Sequence, residues 1–172
     1  DIAPNTHKKI STGEKETKFG INNEDILSIY EKLHKLKYIN PVGLGVHIGS
    51  QIFDFNFFHK AYLNLKTIAD NLKSEGFKVP TLDLGGGIGI YYDQNKNPDF
   101  DTYKKVISDL FLGSEYKLRF EPGRSLIAEA GILVTKVIRN KKNKDKNFII
   151  IDAAMNNLIR PTLYDAYHKI EP

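Results

Sequence analysis

Residues 116–125 read Tyr-Lys-Leu-Arg-Phe-Glu-Pro-Gly-Arg-Ser, a short strand pattern that runs into a turn and then into the start of a helix. Pro122 presets a helical φ where no backbone donor is needed, and Gly123 lets the main chain approach a ligand closely because it has no Cβ. Glu121 and Arg124 place an acid and a planar guanidinium at the same turn. This pair predicts a ligand with a protonated ring nitrogen and an anionic group. A salt-bridged turn between a strand and a helix explains the same residues equally well.

The change from strand to helix recurs along the chain, and each strand ends in glycines or polar residues. Hydrophobic periodicity predicts strands at 42–48, 80–84 and 116–120, and helices at about 22–36, 56–74, 100–112 and 126–130. Such alternation is typical of an α/β fold with a parallel sheet and helical crossovers. Polar residues at the carboxyl ends of successive strands favour a TIM-type (β/α)8 barrel over an open sheet. The units are too few to close it, so residues 1–130 are predicted to form part of a barrel.

The rhythm changes after residue 130. Two strands are predicted at 132–139 and 148–152, joined by a lysine-rich loop with no helix between them. This pattern indicates that residues 131–172 form a junction, at which the chain either enters a β-domain or crosses between domains. Because the chain neither begins with Met nor ends at a clear boundary, we expect a fragment of a longer protein.

The basic character of the chain is local. The sequence pI is about 9.1, but residues 136–146 hold six Lys and Arg side chains against one Asp, and the remainder is nearly neutral. A basic run without interleaved aromatics is typical of a solvated loop, so no nucleic-acid partner is expected. No apolar run is long enough to span a bilayer, so no membrane partner is expected. The absence of cysteine excludes disulfides and thiolate metal sites within these residues, and no metal site is predicted.

Further candidate residues follow two of the predicted strands. His47 ends a hydrophobic strand and precedes Ser50, so its imidazole could lie flat against an aromatic ring while Ser50 helps to hold an anion. A buried structural histidine is the ordinary alternative. Gly85, Gly86 and Gly87 can cradle a phosphate in backbone N–H groups, or they can form a tight turn. They do not match the dinucleotide-binding fingerprint, because no regular helix opens after them.

Arg160 and Tyr164 form the last candidate pair. They lie four residues apart across a proline, so both could reach one carboxylate. A surface arginine and a packed tyrosine would give the same sequence.

Taken together, four segments carry a specific resemblance. They are HIGSQ (47–51), LDLGGGIGI (82–90), FEPGRS (120–125) and IDAAMNNLIRPTLY (151–164). In this order they strongly resemble the fold-type III pyridoxal-phosphate-dependent decarboxylases, over nearly the whole chain. Within that family the resemblance is greatest to members that convert meso-2,6-diaminopimelate to L-lysine and CO2 in the last step of bacterial lysine synthesis. Residues 10–13 and 18–21 extend it.

The resemblance implies pyridoxal 5'-phosphate (PLP) as cofactor and assigns roles to the candidate residues. His47 would stack on the pyridine ring and Glu121 would keep the pyridine nitrogen protonated, as the two catalytic candidates. The remaining cofactor contacts would come from Ser50, Gly85, Gly86, Gly87, Pro122, Gly123 and Arg124. The far carboxylate of a small-molecule amino-acid substrate would be bound by Arg124, Arg160 and Tyr164.

Two family features are absent from the sequence, and alternatives remain open. The Tyr-Ala-x-Lys-Ala motif of the Schiff-base lysine and the Cys-Glu-Ser segment supplied across a dimer interface do not occur. The resemblance implies a cytoplasmic homodimer when full length. Because the two features are missing, we expect an inactive fragment without its lysine, which contains about the second half of the barrel and stops just inside the β-domain. The alternatives are an ornithine- or arginine-type decarboxylase, whose diamine-like substrate tail would need acids, and a non-catalytic regulatory homologue.

Overall fold

The computed structural model describes residues 18–92 and 97–172, and these divide into two compact units. The first, here called the α/β unit, contains the described residues up to Ile90 together with Asn97–Leu126. The second, here called the hairpin unit, contains Tyr91, Tyr92 and residues 127–172. The resemblance noted at residues 10–13 lies outside the described residues.

The α/β unit alternates helices with short strands. In chain order it contains a 3-10 turn (Asn23–Asp25), α1 (Ile26–His34), β1 (Gly43–Gly45), α2 (Phe55–Ser74), β2 (Thr81–Asp83), α3 (Phe100–Phe111), β3 (Lys117–Arg119) and all but the last residue of α4 (Arg124–Ile127). The strands form a parallel sheet in the order β1-β2-β3, with a helix in each connection. This confirms the predicted α/β class and the partial barrel.

The two long helices begin and end as their local sequence dictates. The Asp54 carboxylate accepts a hydrogen bond from the backbone N–H of Asn56 (2.9 Å), which satisfies a free donor at the start of α2. The Asp99 carboxylate does the same for Thr102 in α3 (3.0 Å). After α2 the chain turns at Gly76, whose φ of 88° favours glycine. The predicted bounds of both helices are therefore accurate to about a residue.

The core of the α/β unit forms around α2, because that helix buries one face against the sheet and α3. Seven of its side chains are buried: Phe55, Phe58, Ala61, Tyr62, Leu65, Ala69 and Leu72. The hydroxyl oxygens of the buried Tyr62 and the half-buried Tyr103 lie 2.8 Å apart, so the two groups satisfy each other. Burial raises the pKa of Tyr62, with Tyr103 adding to the effect, so the pair stays neutral.

The strands of the α/β unit are shorter than predicted, and the fourth helix begins earlier. Each strand contributes only three paired residues, although Val46 and Leu84, just beyond β1 and β2, still donate backbone hydrogen bonds to the neighbouring strand. The short helix predicted at 126–130 instead spans Arg124–Ile127. Pro122 and Gly123 lie directly before that helix, so Pro122 is two residues ahead of the first helical position that proline prefers.

In the hairpin unit, most of the lysine-rich segment that was predicted to be a loop belongs to two paired strands. β4 (Val137–Asn143) and β5 (Lys146–Ile151) are antiparallel, and the connection is only Lys144 and Asp145. Lys141 and Lys142 therefore lie within a strand, opposite Phe148 and Asn147. Every residue of β4 is exposed, so lysine side chains reach solvent from either face and do not interrupt the backbone pairing. The lysine run was predicted to be a solvent-exposed loop. The exposure is confirmed, but the predicted loop is wrong, because most of the run forms β4.

A short helix, α5 (Arg160–Tyr164), follows the hairpin and was not predicted. Pro161 lies in its first turn, where its missing N–H has no intrahelical partner to lose. In the part of the chain that the structure describes, no helix combines the length and apolar character that crossing a membrane requires.

Two leucines of α2 provide a test of this core. Leu72 is 2% exposed and Leu63 is 47% exposed on the same helix. We expect Leu72→Ala to lower the free energy of unfolding by about 2–5 kcal/mol, because it removes buried methyl groups and leaves a cavity. Leu63→Ala, the same chemical change, should cost well under half of that amount. Urea denaturation of the purified protein measures both, and equal losses would show that α2 is not the centre of the core.

Candidate functional site

Three of the predicted site residues lie at one end of the parallel sheet. β1, β2 and β3 end in register at Gly45, Asp83 and Arg119. His47, Gly85 and Glu121 each follow two residues after those ends. The carboxyl ends of parallel strands are where barrel enzymes assemble their sites. The register therefore brings three residues that are far apart in sequence to one row.

Backbone hydrogen bonds extend this row beyond the strands. The N–H of Val46 donates to the carbonyl of Asp83 (2.9 Å), and the N–H of Leu84 donates to the carbonyl of Arg119 (2.9 Å). The N–H of Glu121 donates to the carbonyl of Gly85 (2.8 Å). The turns that carry the candidate residues are therefore bonded to each other.

The three successive glycines are required by close backbone contact. A Cβ on Gly85 would overlap the carbonyl oxygen of Val46, and one on Gly86 would overlap the carbonyl oxygen of Glu121. A Cβ on Gly87 would overlap the carbonyl oxygen of Gly49. Gly85 and Gly87 also have positive φ values, of 66° and 104°. This glycine loop, residues 85–89, therefore lies between the turns that follow β1 and β3, in contact with both.

Some backbone N–H groups of the glycine loop are hydrogen-bonded within the described residues, and others are not. The Asp83 carboxylate accepts from the N–H of Gly85 (2.9 Å) and fixes the first turn of the loop. Among the described residues, no acceptor bonds the N–H groups of Gly87 and Ile88. Neighbouring free amides in a glycine-rich loop form a concave donor surface for an anion. The chemistry of this loop thus fits the phosphate group of a cofactor.

The polar side chains around the loop are accessible. His47 and Glu121 are exposed, and Ser50 and Arg124 are half-buried. The Nδ1 of His47 lies 3.5 Å from the N–H of Gly86, which directs the ring toward the glycine loop. Nothing lies within 4 Å of the position that a Cβ on Gly123 would occupy, so no described residue requires glycine there.

Arg160 and Tyr164 form a separate cluster in the hairpin unit. Helix α5 sets them one turn apart, and the guanidinium carbon of Arg160 lies 5.5 Å from the ring centroids of both Tyr164 and Tyr92. The two rings hold the cation by cation–π attraction and restrict its rotamers. Within the described residues, the buried Nε of Arg160 has no hydrogen-bond acceptor. A positioned arginine with an unsatisfied donor is suited to bind a carboxylate.

His168 is part of the same cluster. Its ring packs edge-on against Tyr92, with 5.2 Å between the centroids, and its buried Nε2 likewise has no partner among the described residues. Burial, and then the positive charge of Arg160, lower the pKa of His168. The imidazole is therefore kept neutral beside the guanidinium.

The structure adds four residues that the sequence did not indicate as site residues. Asp83 supports the glycine loop, Gln51 bonds across it, and Tyr92 and His168 surround Arg160. Asp83 had a local signal, because an aspartate two residues before a glycine commonly caps a turn. The other three had none, since their contacts join distant parts of the chain.

Comparison with known proteins identifies the family. Residues 1–128 match the family model described as pyridoxal-dependent decarboxylase, pyridoxal binding domain. The chain is 49% identical to a diaminopimelate decarboxylase from Zymomonas mobilis, over 99% of this chain and 41% of that protein. The chain thus belongs to the pyridoxal-dependent decarboxylase family, and it spans about two fifths of the length of the curated relatives it matches.

Solved structures of the same class share the fold. The crystal structure of diaminopimelate decarboxylase from Helicobacter pylori complexed with L-lysine superposes with a TM-score of 0.91 at 38% identity, and the match covers 98% of this chain and 42% of that one. SrLDC in complex with PLP and cadaverine gives a TM-score of 0.77 at 26% identity, with coverage of 90% and 41%. The fold class and the family predicted from sequence are confirmed.

Substitution of one glycine tests the backbone contact. We expect Gly86→Ala to destabilise the protein by about 1–3 kcal/mol, since the new methyl group would force apart the glycine loop and the turn at Glu121. Gly131→Ala is the control, because Gly131 has nothing within 4 Å of the new Cβ and no positive φ. Thermal unfolding compares the two variants. A Gly86→Ala protein as stable as the control would refute the contact.

A pH dependence follows from the lowered pKa of His168. In the unfolded chain His168 has the ordinary histidine pKa of about 6.5, whereas in the folded protein its pKa is lower. Acidification through that value therefore favours the unfolded state, so stability should fall as the pH drops below about 6.5. We expect His168→Gln to lose part of this dependence. Melting temperatures from pH 8 to pH 5 provide the comparison, and parallel profiles would rule out this role of His168.

Proposed function

We propose that this chain is part of a PLP-dependent carboxy-lyase that converts meso-2,6-diaminopimelate to L-lysine and CO2. The observation that carries the proposal is the row of His47, the glycine loop and Glu121 at the carboxyl end of the sheet. This row offers a ring-stacking imidazole, free amides and a carboxylate to one ligand. Relatives with 49% and 43% identity are diaminopimelate decarboxylases, which supports the choice of substrate.

The phosphate of PLP would be held by the glycine loop and the turns beside it. The donors are the free amides of Gly87 and Ile88, the hydroxyl of Ser50 and the turn that contains Pro122, Gly123 and Arg124. The absence of side chains at Gly85 and Gly86 allows the backbones to approach each other, so that these donors can surround one group. Arg124 would add a positive charge that complements the phosphate dianion or a substrate carboxylate.

The pyridine ring would lie between His47 and Glu121. The Glu121 carboxylate would accept a hydrogen bond from the ring nitrogen and keep its proton in place, because an adjacent negative charge favours the protonated ring. His47 would pack its imidazole against the ring face and exclude water from it. When bound, PLP supplies an electron sink for the carbanion that remains after CO2 leaves.

The far end of the substrate would be recognised by the cluster around Arg160. Diaminopimelate carries a second carboxylate at that end, whereas L-lysine and L-ornithine carry only an ammonium group there. Arg160 offers a positive charge and an Nε–H donor that has no acceptor among the described residues, and the Tyr164 ring lies beside its guanidinium. A guanidinium attracts the carboxylate and repels a lone ammonium group, so the cluster favours diaminopimelate.

The domain organisation, assembly and location follow as parts of the proposal. Residues 1–130 would belong to the PLP-binding barrel, and residues 131–172 would lead into a β-domain. The Schiff-base lysine would lie outside these residues, in a cytoplasmic enzyme that acts as a homodimer. A basic-amino-acid decarboxylase is the second candidate, favoured by the structural similarity to SrLDC in complex with PLP and cadaverine.

The test is decarboxylation by the full-length protein. We expect CO2 release and L-lysine formation from meso-2,6-diaminopimelate with added PLP, and little release from L-lysine, L-ornithine or L-arginine. Preference for one of those three would support the second candidate. PLP binding with no decarboxylation of any of the four would support a regulatory homologue.

A substitution at Arg160 tests recognition of the far carboxylate. We expect Arg160→Ala in the full-length enzyme to raise KM for diaminopimelate by roughly tenfold or more, because it removes a charged hydrogen bond. Arg139→Ala, at an exposed position of β4, removes the same charge and serves as the control. Steady-state kinetics measure both. An unchanged KM for Arg160→Ala would contradict the assigned role.

A further inference from the structure

Gln51 joins the two loops of the proposed phosphate site through both ends of its side-chain amide. Its Nε2 donates to the carbonyl of Ile90 (3.1 Å), and its Oε1 accepts from the N–H of Ile90 (2.9 Å). These two hydrogen bonds connect the loop after β1 to the residue just beyond the glycine loop, 39 positions later in the chain. The side chain therefore pairs with the backbone as a neighbouring strand would.

The same two loops also meet through their backbones. The N–H of Ile52 donates to the carbonyl of Gly87 (3.0 Å), and the N–H of Gly89 donates to the carbonyl of Ile52 (3.0 Å). The carbonyl oxygen of Gly49 packs where a side chain of Gly87 would be. The amide of Gln51 thus extends a set of contacts that determines the spacing between the loops.

The backbone conformation of Gln51 indicates that its side chain has a specific function. Its φ is 61°, in the left-handed region that disfavours L side chains other than those of Asn and Asp. Glycine would adopt this turn with less strain, but it has no amide with which to reach Ile90. The turn alone therefore does not account for a glutamine, whereas the two hydrogen bonds do.

Gln51 also follows Ser50 directly, and Ile90 follows the amides of the glycine loop. If one loop shifted relative to the other, the Ser50 hydroxyl would move away from the N–H groups of Gly87 and Ile88. Those donors can act on one anion only if their spacing is held. The side-chain amide of Gln51 hydrogen-bonds across the two loops at both of its ends.

We propose that Gln51 is a positioning residue that sets the distance between the Ser50 loop and the glycine loop for a phosphate monoester. The inference rests on the proposed function, since it takes the phosphate of PLP as the anion. Gln51 does not contact the ligand in this account. It acts through Ile90 and the loop that precedes it.

The experiment compares PLP with pyridoxal, which lacks the phosphate, on the apo form of the full-length protein. Gln51→Glu keeps the shape of the side chain but cannot donate to the Ile90 carbonyl. Gln51→Gly removes both hydrogen bonds and accepts the positive φ, so it should fold even if the charged variant does not. Asn64→Asp, at an exposed position of α2, is a matched amide-to-acid control.

We expect both Gln51 variants to lose PLP affinity by about tenfold or more while their affinity for pyridoxal changes little, since only the phosphate contacts are disturbed. The control should retain the wild-type ratio of the two affinities. The 31P resonance of bound PLP should shift in the variants, which reports the phosphate environment without relying on turnover.

The outcomes separate this inference from the proposed function. A wild-type protein that binds PLP, with Gln51 variants that retain its preference for PLP over pyridoxal, overturns the positioning role alone. Variants that merely melt at a lower temperature and keep that preference overturn it as well, because a general loss of stability affects both ligands equally. A full-length wild-type protein that fails to bind PLP overturns the proposed function and the inference together.

Discussion

The structure depends on the contact between three successive glycines and the carbonyl groups around them. Gly85, Gly86 and Gly87 pack against the carbonyls of Val46, Glu121 and Gly49, so a methyl group at any of them would overlap a backbone atom. Backbone groups cannot move aside as a flexible side chain can, because each already belongs to a bonded strand or turn. The close approach brings the ends of β1, β2 and β3 together as one surface.

That surface explains how short strands can carry a binding site. Each strand contributes only three paired residues, yet backbone hydrogen bonds continue past the strand ends through Val46, Leu84 and Glu121. Buried side chains of α2 support the sheet from the helical side. The candidate residues therefore stand on loops whose positions are determined by a packed scaffold, which is the usual arrangement in barrel enzymes.

In the hairpin unit, aromatic rings position a charged side chain, the guanidinium of Arg160. Tyr92 and Tyr164 both lie 5.5 Å from the Arg160 guanidinium, and His168 packs against Tyr92. The rings restrict the arginine without neutralising it, so its charge stays available for an anion. Among the described residues, no carboxylate forms an ion pair with Arg160.

The sequence by itself determined the α/β class, the bounds of α2 and α3, the family, and the residues to examine at each strand end. These follow from local causes, namely hydrophobic periodicity, the caps at Asp54 and Asp99, and motifs of adjacent residues. It did not determine that Lys141 and Lys142 lie in a strand, because strand pairing depends on a distant partner. Nor did it reveal the contacts of Gln51 with Ile90 or of Arg160 with Tyr92. Only the tertiary structure decided these, because residues far apart in the chain meet only after the sheet and helices have packed.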